Sequence, residues 1–304
     1  MRRKICSGSI ERLASAAARS ISQSRRPEVA LETIRLGLIG DNIAASRAPD
    51  LHHAAARICG IDVKYERLVP RDLGLTFDDV VERAKQDGFR GLNITYPYKE
   101  QALRFATIED PVVRTIGACN TVLFGAPPIG FNTDYTGYVS AFRAQLGARP
   151  PGAVAMAGSG GVGKAVAFGL AKLGAKSLAL FDIDDGKSRS LEAALQPHQG
   201  AMSVRVAASL ADACEGADGL VNCTPLGMVG YGGNAFSGIP IKGRGWIFDA
   251  VYTPIQTAFV KEAEAARVEI LSGYELFLYQ GGHAFKLFVG YEVDAGKLRR
   301  MLEG

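Results

Sequence analysis

The feature that most narrows the choice of fold is a glycine-rich turn set between a strand and a helix. Ala153–Ala157 is a short apolar run that leads straight into Gly158-Ser159-Gly160-Gly161-Val162-Gly163 and on to a helical pattern over Gly161–Leu173. The turn fits GxGxxG, and a strand before it with a helix after it is the context in which that spacing has physical meaning. The first glycine permits the tight turn, the second lets backbone approach a diphosphate, and the third lets helix pack closely on strand. Free N–H groups at the helix start, with the positive end of the helix dipole, then receive the anion. A second strand pattern closes on Asp182, 24 residues beyond Gly158, near the roughly 20-residue spacing at which an acid takes a ribose diol. A carboxylate there accepts two hydroxyl hydrogen bonds and repels a 2′-phosphate, so NAD is favoured and NADP stays open as the second cofactor. The plainer reading is that Asp182 and Asp184 only begin an Asp-Asp-Gly turn.

Patterns on either side of this turn give the fold class. Before it, Ile34–Gly40, Val63–Val69 and Arg90–Thr95 read as strands, with helices expected from Pro49 to a stop at Gly60, over Phe77–Asp87, and opening at Pro97. Strand, helix, strand, helix, strand is the signature of a parallel α/β layer. The run Gly147-Ala-Arg-Pro-Pro-Gly152 marks a loop or boundary. Beyond it come strands at 153–157, 177–182, 219–223 and 246–251, and helices at 161–173 and 187–195. Helical patterns then fill 256–266, 274–288 and 295–302. At 304 residues the chain has the length of two domains, and the expected class is α/β.

Several functions have nothing to stand on. A net charge of +4 is too weak for a nucleic-acid groove. Residues 1–27 hold seven basic residues against one acid, so this Ser-, Ala- and Arg-rich stretch accounts for the whole excess. Residues 1–33 are expected to form a disordered basic extension outside the fold. The longest uncharged stretch, Thr115–Thr133, contains two asparagines and two prolines and is no membrane span. Five widely spaced cysteines without a CxxC suit reduced thiols and a cytoplasmic setting, and neither a disulfide scaffold nor a metal site. No HExxH or GxSxG occurs.

Candidate chemistry lies in three polar segments. Asn93-Ile-Thr95-Tyr-Pro-Tyr-Lys99 joins a strand end to a helix start, the usual place for function in α/β folds. Asn and Thr there suit a polyol, and Lys99 can reach a reacting oxygen, although a lysine early in a helix is by default solvated surface. Gly117-Ala-Cys-Asn120-Thr121 and Asn132-Thr-Asp134-Tyr-Thr-Gly137 add amides, hydroxyls and one acid beside glycine turns. Oxidising an alcohol needs a proton removed as hydride leaves, and a buried lysine beside an aspartate can be tuned to exchange it.

Together with Gly40–Pro49, the GxGxxG turn, Asn222-Cys-Thr224-Pro-Leu-Gly-Met228, Asp249-Ala-Val-Tyr252-Thr-Pro254, Gly273 and Gln280, these segments resemble the shikimate/quinate dehydrogenase family, in the family's order, from Leu36 to Gly290. The resemblance implies an N-terminal α/β substrate domain over 34–133, completed by a returning helical segment at 275–304. It implies a Rossmann-type doubly wound NAD(P)-binding domain over 134–274. It implies Lys99 and Asp134 as the catalytic pair, with Asn93, Thr95, Asn120 and Gln280 on the ring hydroxyls and Ser46 on the carboxylate with Tyr252 beside it. Gly158 to Gly163, Asp182, Thr224 and Gly273 would line the cofactor. The family moves a hydride between the ring secondary alcohol of shikimate or quinate and nicotinamide, giving the 3-dehydro product. No metal is called for, because nicotinamide carries the difficult step, and the resemblance leaves room for a homodimer.

Two positions depart from the family pattern. It usually carries Ser-x-Ser or Ser-x-Thr before the proline, whereas this chain has Ser46-Arg47-Ala48-Pro49. Ala48 cannot donate to a carboxylate, a bond worth about 1.5–3 kcal/mol, so aminoshikimate or another polyol acid stays open as substrate and Arg47 is a candidate anion partner. NADP-using biosynthetic members resemble Asn-Arg-Thr where this chain has Asp182, which draws it toward NAD-using catabolic members. A nucleotide-binding sensor without turnover is the reading from another class.

Overall fold

Strands with no polar face have to be covered on both sides, and four of the strands after residue 150 meet that condition. The computed structural model describes residues 33–304, so the basic extension expected at 1–33 lies outside the described residues but for Thr33. Six strands, β6 (Ala153–Ala157), β7 (Ser177–Phe181), β8 (Ser203–Val206), β9 (Gly219–Asn222), β10 (Trp246–Asp249) and β11 (Glu269–Ser272), form one sheet in the order β11-β10-β9-β6-β7-β8. Every pairing in it is parallel. Read from β8, this is the doubly wound order, with its reversal point between β6 and β9. The period of two is visible in the packing. Val154 and Met156 join a cluster with Tyr138, Phe142 and Phe168, while Ala155 and Ala157 face another with Phe259 and Ala263. Burying each such aromatic contributes roughly 1.5–3 kcal/mol.

The other sheet is mixed. β1 (Ile34–Ile39) pairs in parallel with β2 (Val63–Leu68) and β3 (Gly91–Ile94). Then β4 (Thr121–Leu123) and β5 (Ile129–Phe131) add antiparallel at one edge, giving the order β2-β1-β3-β4-β5. The three strands expected here are thus parallel, and β4 and β5 extend the layer antiparallel. Strands of three residues are too short to show a period. Pro97 also opens no helix: it lies in a turn where Tyr98 N donates to Thr95 O at 2.9 Å, and the next helical segment is a 3-10 turn at Gln101–Phe105. The helix expected from Pro49 begins one residue earlier, at Ala48, and closes where Gly60 adopts a left-handed φ of 66°.

Two helices tie the sheets together. Thr133–Leu146 packs against Gly273–Val289, and a Cβ at Gly137 would come within 2.7 Å of Gln280 N, so the backbones approach as only glycine allows. The last helices return to the first sheet, where Phe277, Phe285, Phe288 and Leu298 pack with Leu36, Leu38 and Leu51. Among the described residues no helix is long and apolar enough to cross a membrane.

Candidate active site

The glycine turn has the geometry its spacing implies. Gly158 has a φ of +96°, and a Cβ there would sit 2.7 Å from the carbonyl of Cys223 at the end of β9. A Cβ at Gly163 would strike the carbonyl oxygen of Gly158, whereas one at Gly160 would meet nothing within 4 Å. One glycine makes the turn, one seals helix to strand, and the middle one leaves open space at the start of the helix Gly161–Leu173. Lys164 N makes the first helical bond, to Gly160 O at 2.8 Å, so the N–H groups of Gly161, Val162 and Gly163 precede the helical ladder and are free for an anion. Ser159 turns inward, its hydroxyl 3.1 Å from that of buried Ser188.

Asp182 begins the turn and also braces the glycine loop. Its Oδ1 accepts the amide of Asp184 at 2.9 Å, which is the turn, and its Oδ2 accepts the amide of Ser159 at 2.7 Å, which holds the glycine loop. Each oxygen keeps a further lone pair for a hydroxyl. The nearby cations are engaged: Arg189 meets Asp185 at 2.6 Å and Lys187 meets Asp184 at 3.8 Å. The Thr224 hydroxyl donates to Asn222 Oδ1 at 2.7 Å and accepts the amide of Leu226, so it orders its own loop beside Gly158. Gly273 opens its helix against Ala250, whose carbonyl a Cβ would strike.

Lys99 and Asp134 meet. Lys99 Nζ donates to Asp134 Oδ2 at 2.6 Å, with side chains only 16% and 10% exposed. Asp134 lies in the first turn of the helix Thr133–Leu146, capped by Asn132, whose side chain accepts the amide of Tyr135 at 3.0 Å. A carboxylate is favoured at that end of the helix dipole. Lys99 sits on the turn after β3, and a Cβ at Gly161 would be 4.0 Å from its Cδ. The pair thus stands beside the glycine loop.

The amides gather behind it. Asn120 Oδ1 accepts the amide of Thr133 at 2.7 Å, and its Nδ2 donates to Thr133 Oγ1 at 3.0 Å, which in turn donates to Gln280 Oε1 at 3.4 Å. Asn93 Nδ2 donates to Thr121 Oγ1 at 3.1 Å, in register across β3 and β4. Thr95 N donates to Ile39 O at 2.9 Å, pinning the end of β3 to β1. Tyr252 stacks on Phe277, ring centroids 5.2 Å apart, and burial pushes its phenol up while the charges of Arg47 and Asp134 act on it in opposite senses.

Ser46 is less simply placed, since its hydroxyl accepts the amide of Ala48 at 3.2 Å, within its own turn. Arg47 is spoken for: it donates to Leu302 O at 3.1 Å and lies over the ring of Tyr274. It is therefore no ready replacement for the missing hydroxyl at Ala48. His283 hydrogen-bonds Thr136 Oγ1 at 2.9 Å, and burial lowers its pKa. Thr121, Thr133 and the Lys164–Glu100 ion pair at 3.0 Å escaped the sequence reading. The two threonines lie inside motifs it quotes, but their partners come from sheet register, which no local pattern encodes.

Residues 38–122 match the family model described as the shikimate dehydrogenase substrate binding domain. The chain is 35% identical over 275 residues to the quinate/shikimate dehydrogenase (NAD(+)) of Corynebacterium efficiens, covering 88% of this chain and 97% of that protein. It is 34% identical to the shikimate dehydrogenase (NADP(+)) of Arthrobacter sp. strain FB24, covering 88% and 94%. Among solved structures, quinate dehydrogenase from Corynebacterium glutamicum in complex with NAD is similar at a TM-score of 0.80 and 34% identity, covering 88% of this chain and 98% of that one.

Proposed function

The chain belongs to the shikimate/quinate dehydrogenase family, and on that footing we propose that the Lys99–Asp134 pair is its catalytic centre. The enzyme is an NAD-dependent oxidoreductase that acts on the ring secondary alcohol of shikimate or quinate. The observation that carries the assignment of the centre is the 2.6 Å contact between Lys99 and Asp134, made beside the glycine loop by residues 35 positions apart.

The loop suits a dinucleotide: open space at Gly160, free amides at the helix start and a carboxylate at Asp182 form the cradle. When bound, NAD accepts the hydride from the alcohol carbon. The residues of the chain handle the rest. In oxidation the alcohol proton leaves as the hydride does, and Lys99 Nζ, in its amine form beside Asp134, takes it to become the ammonium. In reduction the Lys99 ammonium returns it to the carbonyl oxygen, and Asp134 holds the lysine on station. Asn93, Thr95, Asn120 and Gln280 orient the ring through its hydroxyls, and Ser46 and Tyr252 attend the acid end. We take the first sheet with its returning helices, 34–133 and 275–304, as the substrate-binding domain, and 134–274 as the dinucleotide-binding domain. Cytoplasmic residence and a homodimer belong to the same proposal.

Reduced-nicotinamide absorbance, followed while shikimate, quinate and aminoshikimate are each presented with NAD, tests this reading. Turnover of shikimate or quinate is expected. Binding of these acids without any absorbance change would instead support a sensor. The single hydroxyl at Ser46, with Ala48 where a second would stand, is the observation that keeps aminoshikimate among the substrates tried.

A further inference from the structure

Backbone groups fix the orientation of two amides in the cluster, and the rest can be traced from them. A backbone N–H can only donate, so the Thr133 amide, 2.7 Å from the Asn120 side chain, identifies the atom it meets as Oδ1. Asn120 Nδ2 then donates to Thr133 Oγ1, whose hydrogen has Asn120 Oδ1 at 3.2 Å and Gln280 Oε1 at 3.4 Å as acceptors. Gln280 is fixed independently, because its Nε2 donates to the carbonyl of Phe277 at 3.3 Å and a carbonyl can only accept. On the other side, Thr121 Oγ1 donates to Asn120 Oδ1 at 3.0 Å, so it has to accept from Asn93 Nδ2 at 3.1 Å. That leaves Asn93 Oδ1 in need of a donor. The hydroxyl of Tyr65 supplies it at 2.9 Å.

Tyr65 is built to stay a donor. It is 6% exposed, on β2, and burial pushes its phenol far above the ordinary value. The ring of His52 stacks on it, centroids 4.4 Å apart, within the apolar cluster under β1. In this arrangement the oxygens of Asn93 and Asn120 already accept, and Asn93, Asn120 and Gln280 each keep one further amide hydrogen to offer.

We propose that Tyr65 is a positioning residue for ring-acid binding: through Asn93, it closes the relay that makes the three amides present N–H donors to the substrate. This rests on the reading of those amides as substrate ligands. Ring oxygens met by the three amides would then act as acceptors, with their own hydrogens directed toward Asp134.

Tyr65→Phe removes the donor and leaves Asn93 free to turn over. The expected result is a KM for the ring acid raised roughly fivefold to tenfold, what one oriented neutral hydrogen bond is worth, with kcat within about twofold and the KM for NAD unchanged. A general structural defect would move all three together, and that result overturns the proposal, as does an unchanged KM for the ring acid. Should Tyr65→Phe not fold, Thr121 decides: Thr121→Val is expected to reproduce the KM rise and Thr121→Ser to remain near the native value. Equal KM values for Thr121→Val and the unaltered enzyme overturn the relay. Absence of turnover by the unaltered enzyme would remove the underlying reading and this inference with it. Turnover with a KM insensitive to Tyr65 removes the inference alone.

Discussion

Lys99→Met keeps the length and apolar stem of the side chain and deletes only the ammonium that meets Asp134. If the pair moves the proton, kcat should fall roughly 10²–10⁴-fold while NAD binding, followed by fluorescence, stays near native. Near-normal turnover by this variant would remove both the acid–base and the polarising role. A second residue bears on stability rather than chemistry. His52 is buried, its Nδ1 has no hydrogen-bond partner, and burial lowers its pKa to about 3. A folded-state value below the unfolded one means that the unfolded chain takes the proton first. The stability tied to neutral His52 is complete above about pH 6.5 and is lost as pH falls toward about 3, by about 1.4 kcal/mol per pH unit from this group. His52→Phe would pack among Tyr65, Phe285 and Phe288 and abolish that slope. Urea unfolding at pH 7.5 and pH 5.5 checks it: the unaltered chain should lose more stability between the two than the variant. The orphaned nitrogen was not legible in the sequence, because it depends on which neighbours the fold brings.

At the scale of elements, the glycines of one turn separate fold from function. Gly160→Ala adds a methyl to open space at a φ of −75°, so the melting temperature should hold while the KM for NAD rises. Gly163→Ala drives a methyl into the Gly158 carbonyl, so the helix has to part from its strand and the melting temperature should drop by several degrees. Equal melting temperatures would show that the third glycine does not seal the helix. The turn after β7 carries a related expectation. Asp182→Asn should weaken NAD without gaining NADP, because Arg189 and Lys187 remain paired with Asp185 and Asp184. Adding Asp185→Asn frees Arg189, and measurable NADP use should appear only then, read as the ratio of kcat/KM for the two cofactors. The four inner strands of this parallel sheet were legible because they are apolar runs, whereas β8 and β11 at its edges, each half open to solvent and carrying a charged residue, were not. The helix Thr133–Leu146 was not: Tyr135, Tyr138, Val139, Ala141 and Phe142 are buried around much of its circumference, so no single apolar stripe declared it. Motif order pointed to Lys99 and Asp134, yet the reason they meet lies in β4 and β5, strands of three residues each that bring Asn120 against Thr133.

At the scale of the whole molecule a second charged pair joins the two parts of the chain beside Lys99–Asp134, where Lys164 Nζ meets Glu100 Oε1 at 3.0 Å, one residue from Lys99. As a strut it is weak: Glu100 is 67% exposed, and exposed pairs contribute about 0–1 kcal/mol. Its position gives it a second effect. Lys164 lies in the first turn of the helix that begins at Gly161, where the helix dipole disfavours a cation and favours an anion. Glu100 therefore answers the same positive end that a diphosphate would. If the pair acts through this field, the two substitutions oppose each other. Glu100→Gln removes a negative charge from the mouth of an anion site and should lower the KM for NAD by about twofold to fivefold. Lys164→Gln should raise it. Both effects should shrink with added salt, since the screening length falls from about 30 Å at 0.01 M to about 3 Å at 1 M. If instead the pair acts as a strut holding the sheets together, either substitution breaks it and both move KM in the same direction, with little dependence on salt. Steady-state KM values for NAD at two ionic strengths, on the two variants and the unaltered enzyme, decide between them by sign alone.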